Sequence, residues 1–311
     1  MIMIFSVGFA FAEDANQADS TFGVTNDTVI SDGGSSNYGD LQNEFPSGVS
    51  GEVNLAANYT FDETKDKYKQ VEITGSPGKE IVINGNNHVI DGNGKAGALK
   101  ISNAAVTINN LVFKNSAISS IIVSNSTLVL NNVYFMDNND SESGAAIFCD
   151  YGAVTANNCL FSDNYAPKGG AIYVSRGDLE TIKSTFTNKD SVDWSLVYAV
   201  RSKVNVQQCL FENATSKYAT ALYADTSNVN IFNSRFNNLS ASVTAGAIAS
   251  KRMTNLTVKN CEFENIRSVK NGGAIFADIN ADSENLKGTT LVNATKFINC
   301  KSGYGGAILQ L

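Results

Sequence analysis

The residues of this chain best suited to acid chemistry are aspartates. Asp137 and Asp163 each stand two places after a phenylalanine, and Asp91, Asp140 and Asp150 lie in the same stretch. A close carboxylate pair is the arrangement of a retaining glycosidase, and clustered carboxylates also suit Ca2+. Asp137 and Asp163 are therefore the weak metal candidates of the sequence. His88, the single histidine, is expected to be a packed structural residue rather than a base. Trp194, the single tryptophan, could form with Tyr198 an aromatic platform for a sugar ring or a protein partner; the alternative is local packing on a neighbouring turn. The five cysteines include no C-x-x-C pair, so a zinc site is not indicated. No residue is assigned as catalytic and no cofactor is assigned.

A repeat must position these groups. Phe113, Phe135, Phe161, Phe186, Phe211, Phe236, Phe263 and Phe297 recur in steps of 22, 26, 25, 25, 25, 27 and 34 residues. A period of this size marks a solenoid or a related array. Seven, five and two places before each phenylalanine the residues are small or apolar, as at Val204, Val206 and Cys209, and they alternate with polar ones. Such alternation belongs to half-buried strands. The uneven step from five to two needs a bend, and pairs such as Asn109-Asn110 and Asn131-Asn132 suit one.

Two places after the phenylalanines stand Asn115, Asp137, Asp163, Asn188, Asn213, Asn238, Asn265 and Asn299. Stacked amides can hydrogen-bond from copy to copy, so this column is expected to form a largely internal ladder, with the two aspartates replacing asparagine ~5 Å apart. Gly169-Gly170-Ala171-Ile172, Gly272-Gly273-Ala274-Ile275 and Gly305-Gly306-Ala307-Ile308 then mark a tight corner before another short strand. Each copy thus holds three short strands and cannot bury its own face, so the copies must stack. The chain is expected to be an all-β parallel β-helix of about nine to ten coils of ~25 residues, with right-handed crossovers favoured. A propeller needs blades of ~40 residues, and a sandwich has no reason to keep the phenylalanine period. Cys159, Cys209 and Cys261 share an inward column two coils apart, ~9.6 Å, beyond the ~7 Å that a disulfide spans. Buried free thiols are expected.

Phe161-Ser162-Asp163-Asn164 followed by Gly169-Gly170-Ala171-Ile172 resembles the paired FxxN and GGA[ILV] motifs of chlamydial polymorphic outer-membrane proteins. Most copies here depart from it, reading Phe-x-Asn. The run from Val82 to Gly94, with Val106 to Phe113 after it, resembles the first coil of adhesin-like surface proteins of methanogenic archaea. The resemblance runs from about residue 51 to the end. It implies a right-handed parallel β-helix of the pectin-lyase-like kind, export, and a surface or adhesive role.

Residues 1–12 are apolar and finish in Ala10-Phe11-Ala12, which reads as a secretory signal peptide. No Lys or Arg precedes the apolar run, so its start is expected upstream. Residues 13–50 read as a weakly ordered polar leader, about 51–78 as an N-terminal cap, and 51–311 as the β-helix, whose last coil is expected to be incomplete. No run reaches the ~18 apolar residues of a membrane span. A net charge of −7 argues against nucleic acid and against an anionic bilayer. Asn-x-Ser/Thr sequons fall at Asn26, Asn58, Asn125, Asn139, Asn213, Asn238, Asn255 and Asn293, and a glycan at Asn213 or Asn238 would conflict with an internal ladder. The expected function is a non-enzymatic, exported adhesin-like protein that binds a cell-surface glycan or protein. The alternatives are a pectin-lyase-like polysaccharide lyase or hydrolase, with Ca2+ as its cofactor, and a passive spacer.

Overall fold

The computed structural model describes residues 35–75, 78–189, 191–278 and 287–311. The expected signal peptide and the leader up to residue 34 lie outside the described residues. The rest is a parallel β-solenoid of about ten turns. Each coil contributes a strand to three faces. The first face runs through Ala153–Asn157, Asp178–Ile182, Lys203–Gln207 and Asn228–Phe232. The second carries the phenylalanines, in Leu160–Ser162, Thr185–Thr187 and their equivalents. The third is a separate ten-stranded sheet from Val71–Thr74 to Ile308–Gln310. In two coils the first and second faces are one continuous strand, Ala105–Lys114 and Thr127–Met136. The strand bends at Asn110 and Asn132, whose φ angles of 50° and 55° are left-handed. Asparagine tolerates that region better than most residues.

The inward columns pair residue for residue. Phe186 lies opposite Phe161 on one side and Phe211 on the other. From Phe113 to Phe297 the rings stack at centroid separations of 4.4–5.1 Å, with planes within 12° of parallel. All but Phe297, on the last described coil, are buried. In the Gly-Gly-Ala corner the first glycine is left-handed, with φ of 64° at Gly169 and 59° at Gly272. A Cβ added at the second would reach 2.7 Å from the Val192 side chain of the next coil at Gly170 and 2.1 Å from the Gly306 oxygen at Gly273. Close approach of neighbouring coils therefore sets the signature.

Part of the expected polar leader is structured. Asn37 and Asp40 form a reciprocal capping box over a short helix, Tyr38–Asn43. Tyr38 and Leu41, with Phe45 beyond, are buried, and the Tyr38 ring meets Phe61 edge-on at 5.5 Å. Three apolar residues at helical spacing were enough to order a segment whose overall composition is polar. Burial also pushes the Tyr38 phenol well above its usual pKa.

Phe211→Ala removes one ring from the middle of the stack and leaves a cavity that the coils above and below cannot close. A loss of about 3–5 kcal/mol is expected in denaturant unfolding. An unchanged midpoint would contradict the inward stack.

Candidate functional site

The residue two places after each phenylalanine is left-handed in every described coil except that of Asn188, with φ of 51° at Asn115, 54° at Asp137 and 56° at Asp163. A left-handed residue breaks the in–out alternation. Its own side chain turns outward and the next one turns in. The expected internal ladder is thus corrected: Asn213, Asn238, Asn265 and Asn299 are exposed and Asn115 is half-buried. Outside, Asn238 donates to Asn213 at 2.9 Å and Asn299 to Asn265 at 2.7 Å. The buried amides are Asn138 and Asn164, three places after their phenylalanines, together with Asn188. Asn138 Nδ2 donates to Asn164 Oδ1 at 2.8 Å, Asn164 Nδ2 to the Phe135 carbonyl at 3.0 Å, and Asn188 Nδ2 to the Asn164 carbonyl at 2.7 Å.

Asp137 is exposed. At Asp163 partial burial pulls the carboxyl pKa up, but hydrogen bonds from the Lys189 amide and ammonium and from the Ser162 hydroxyl outweigh it and hold the group below the usual range. The Lys189 ammonium lies 3.0 Å from it. A cation at this place would have to displace that lysine. The other acids are each engaged separately. Asp91 pairs with Lys114 at 3.3 Å, Asp150 with Arg176 at 2.7 Å, and Asp140 accepts from the backbone of Ser119 at 2.7 Å. Among the described residues no group of three or more His, Cys, Asp or Glu side chains could hold a metal.

His88 is buried, at 7% exposure, and its Nδ1 has no hydrogen-bond partner among the described residues. All five cysteines are free thiols. In the Cys159–Cys209–Cys261 column the intervening coils carry hydroxyls: Ser184 Oγ accepts from the Cys159 amide and Ser234 Oγ from the Cys209 amide, both at 3.1 Å. Burial pushes the Cys149 and Cys159 thiols up to about 12, far from nucleophilic use.

Tyr198 cannot serve as a platform. It belongs to an outer column of the third face in which Phe148, Tyr173, Tyr198 and Tyr223 stack in register at 4.8–5.6 Å. Both of its ring faces are occupied and it is only 8% exposed. Trp194 takes the place that Gly169 has one coil earlier. It stacks on Tyr218 at 4.4 Å and meets Tyr198 and Tyr223 edge-on. With Ala219, Ala245, Ala249 and Phe276, the Trp194, Tyr198 and Tyr223 rings form a second apolar cluster. Local packing thus accounts for the tryptophan.

The concavity lies elsewhere. Where the third face turns into the first, an open groove of about 900 Å3 is lined by Lys79, Glu80, Asn103, Asn125, Thr127 and Tyr151, over a floor of Ala104, Ser126 and Gly152. Sequence reasoning missed it because its columns were aligned on the phenylalanine corner. The available signal was the recurrence of a turn residue followed by two small ones: Asn103-Ala104-Ala105, Asn125-Ser126-Thr127 and Tyr151-Gly152-Ala153.

Two segments of the chain are similar to a known repeat. Residues 158–175 and 260–278 match the Chlamydia polymorphic membrane protein repeat. No curated protein sequence matches. Among solved structures the chain is similar to the surface protein and adhesin PfbA of Streptococcus pneumoniae, at 14% identity over 84% of this chain and 89% of that one, with a TM-score of 0.37. It is also similar to pectate lyase Bsp165PelA from Bacillus sp. N165 in complex with trigalacturonate, at 14% identity over 85% and 87%, with a TM-score of 0.30. No helix among the described residues is long and apolar enough to cross a membrane.

The two kinds of amide should differ in stability. Asn164→Ala strands the partners of a buried network and is expected to cost about 1–3 kcal/mol. Asn213→Gly keeps the left-handed turn and loses one exposed bond, so its cost should stay below about 1 kcal/mol. Equal losses in chemical denaturation would contradict the assignment of inside and outside.

Proposed function

We propose that this β-helix repeat protein acts at a cell surface as a non-enzymatic binding rod, whose turns and outer columns meet a glycan or protein of a host cell, a neighbouring microbe or the surrounding matrix. One observation carries the reading. Two coils match a repeat described for a membrane protein family, and they stand within a regular stack of coils of the same design. Such a stack presents a long, repetitive outer surface, which suits extended contact with a partner. The apolar stretch ending in Ala10-Phe11-Ala12 supports export. The pairing of Asp91, Asp150 and Asp163 with basic side chains supports binding rather than catalysis, because an acid already held by a cation is a poor base.

The test is to screen the whole chain against arrayed glycans, matrix proteins and intact cells, and in parallel to incubate it with Ca2+ and a panel of uronic-acid polymers. Saturable binding without new reducing ends or unsaturated products is the expected result. Turnover would overturn the reading in favour of a lyase, and an absence of both binding and turnover would overturn it in favour of a spacer.

A further inference from the structure

The groove at the corner between the third and first faces has the makings of a ligand site. Four successive coils reach it through the same turn position: Gly78, Asn103, Asn125 and Tyr151, all left-handed. In the next three coils the same turn position holds Arg176, Arg201 and Thr226, also left-handed, so the turn accepts varied side chains and what distinguishes the Tyr151 coil is the aromatic ring it presents. Tyr151, with φ of 52°, is the only aromatic residue among the described non-glycine residues with positive φ. Its ring is 55% exposed. Arg176, from the next coil, lies over one face at 4.2 Å. Asp150 in turn holds Arg176 through two 2.7 Å contacts from Nη2. The ring is therefore fixed in place before any ligand arrives, which lowers the entropy cost of binding.

The amides beside it are also unusual. At the corner between the first and second faces, left-handed asparagines hydrogen-bond between coils, as Asn132 does to Asn110 at 3.1 Å and Asn158 to Asn132. Asn103 and Asn125 lie one coil apart in the same left-handed geometry, yet neither side chain has a hydrogen-bond partner among the described residues. Both residues are exposed and line the groove.

We infer that this groove is a saccharide-binding site, with the Tyr151 ring as platform and the Asn103 and Asn125 amides as hydrogen-bonding partners. A pyranose offers an apolar C–H face and a polar rim of hydroxyls, which matches one aromatic ring flanked by neutral amides. The turn positions repeat every ~4.8 Å, about the length of one sugar unit, so the groove suits a linear chain of about three units. The inference rests on the reading of the rod as a binding surface and names a ligand class and a place for it.

The experiment uses the full chain on a printed array of neutral and acidic linear oligosaccharides, with the best-binding oligosaccharide then titrated by calorimetry. Tyr151→Asn keeps a residue suited to the left-handed turn and removes the ring. It is expected to weaken binding about tenfold or more with no change in Tm, and Asn103→Ala/Asn125→Ala to weaken it independently. Tyr68→Ala, at an exposed tyrosine away from the groove, is expected to bind as the parent does. If both groove variants bind a saccharide as tightly as the parent, the site is overturned while the surface reading stands. Binding to proteins or cells but to no saccharide has the same meaning, and binding to nothing overturns both. An N-linked glycan found at Asn125 by intact mass of the protein from its source cells would also overturn the site, since the sequon Asn125-Ser126-Thr127 would then fill the groove covalently.

Discussion

Register between successive coils is the constraint on which everything else in this molecule depends. Every coil lies in parallel on the one before it, so each side chain meets its own counterpart about 4.8 Å away. Inside, this places phenylalanine on phenylalanine from Phe113 to Phe297. Outside, it sets Phe148, Tyr173, Tyr198 and Tyr223 in one stack. Apolar and amide columns gain from such repetition, whereas like charges directly opposite one another repel. Many charged residues are accordingly met by an opposite charge in the next coil, in direct register at Asp91–Lys114 and Glu72–Lys100 and one place off elsewhere. Arg176 reaches back one coil to Asp150, and Arg252 reaches back one coil to Asp225. The carboxylates that first suggested catalysis are spread among such pairs.

Left-handed turn residues link this stack to its surface. Each one bends or ends a strand, sends its own side chain out and returns the next residue to the interior. That single step exposes Asn213 and Asn238 while burying Asn138 and Asn164. It also explains why most of these positions are Asn, Asp or Gly, residues that adopt positive φ at little cost. The exceptions run from Ala245 and Ala294 to Arg176, Thr226 and Tyr151, so the turn tolerates varied side chains and Tyr151 differs in presenting an aromatic ring.

Much of the fold was legible in the sequence. The phenylalanine period, the small columns before it and the Gly-Gly-Ala corner together specify three short parallel strands per coil, and the spacing of Cys159, Cys209 and Cys261 rules out bridges among them. Side-chain direction after the phenylalanine was less legible. Alternation alone cannot say whether the residue two places on is extended or left-handed, and the wrong choice swaps the inner and outer columns. The Phe-x-x-Asn form at Phe135 and Phe161 held the clue, since its asparagine, three places after the phenylalanine, is buried while the aspartate before it is not. Tyr198 was misjudged because a single sequence position does not reveal that both ring faces are occupied by neighbours 25 residues away in either direction. The helix at Tyr38–Asn43 was hidden by the polar segment around it.

The central claim is that coil register, more than any local segment, specifies this structure, and a pair of deletions tests it most directly. Phe161 and Phe186 occupy equivalent places, so removing residues 162–186 takes out one coil of 25 residues and joins two matching points. Removing only residues 162–173 takes out about half a coil. Thermal unfolding followed by circular dichroism should give a cooperative β-sheet transition for the full-coil deletion, at a temperature close to that of the parent, and none for the half-coil deletion. If both deletions fold alike, or if both fail, coil register is not what holds the molecule together.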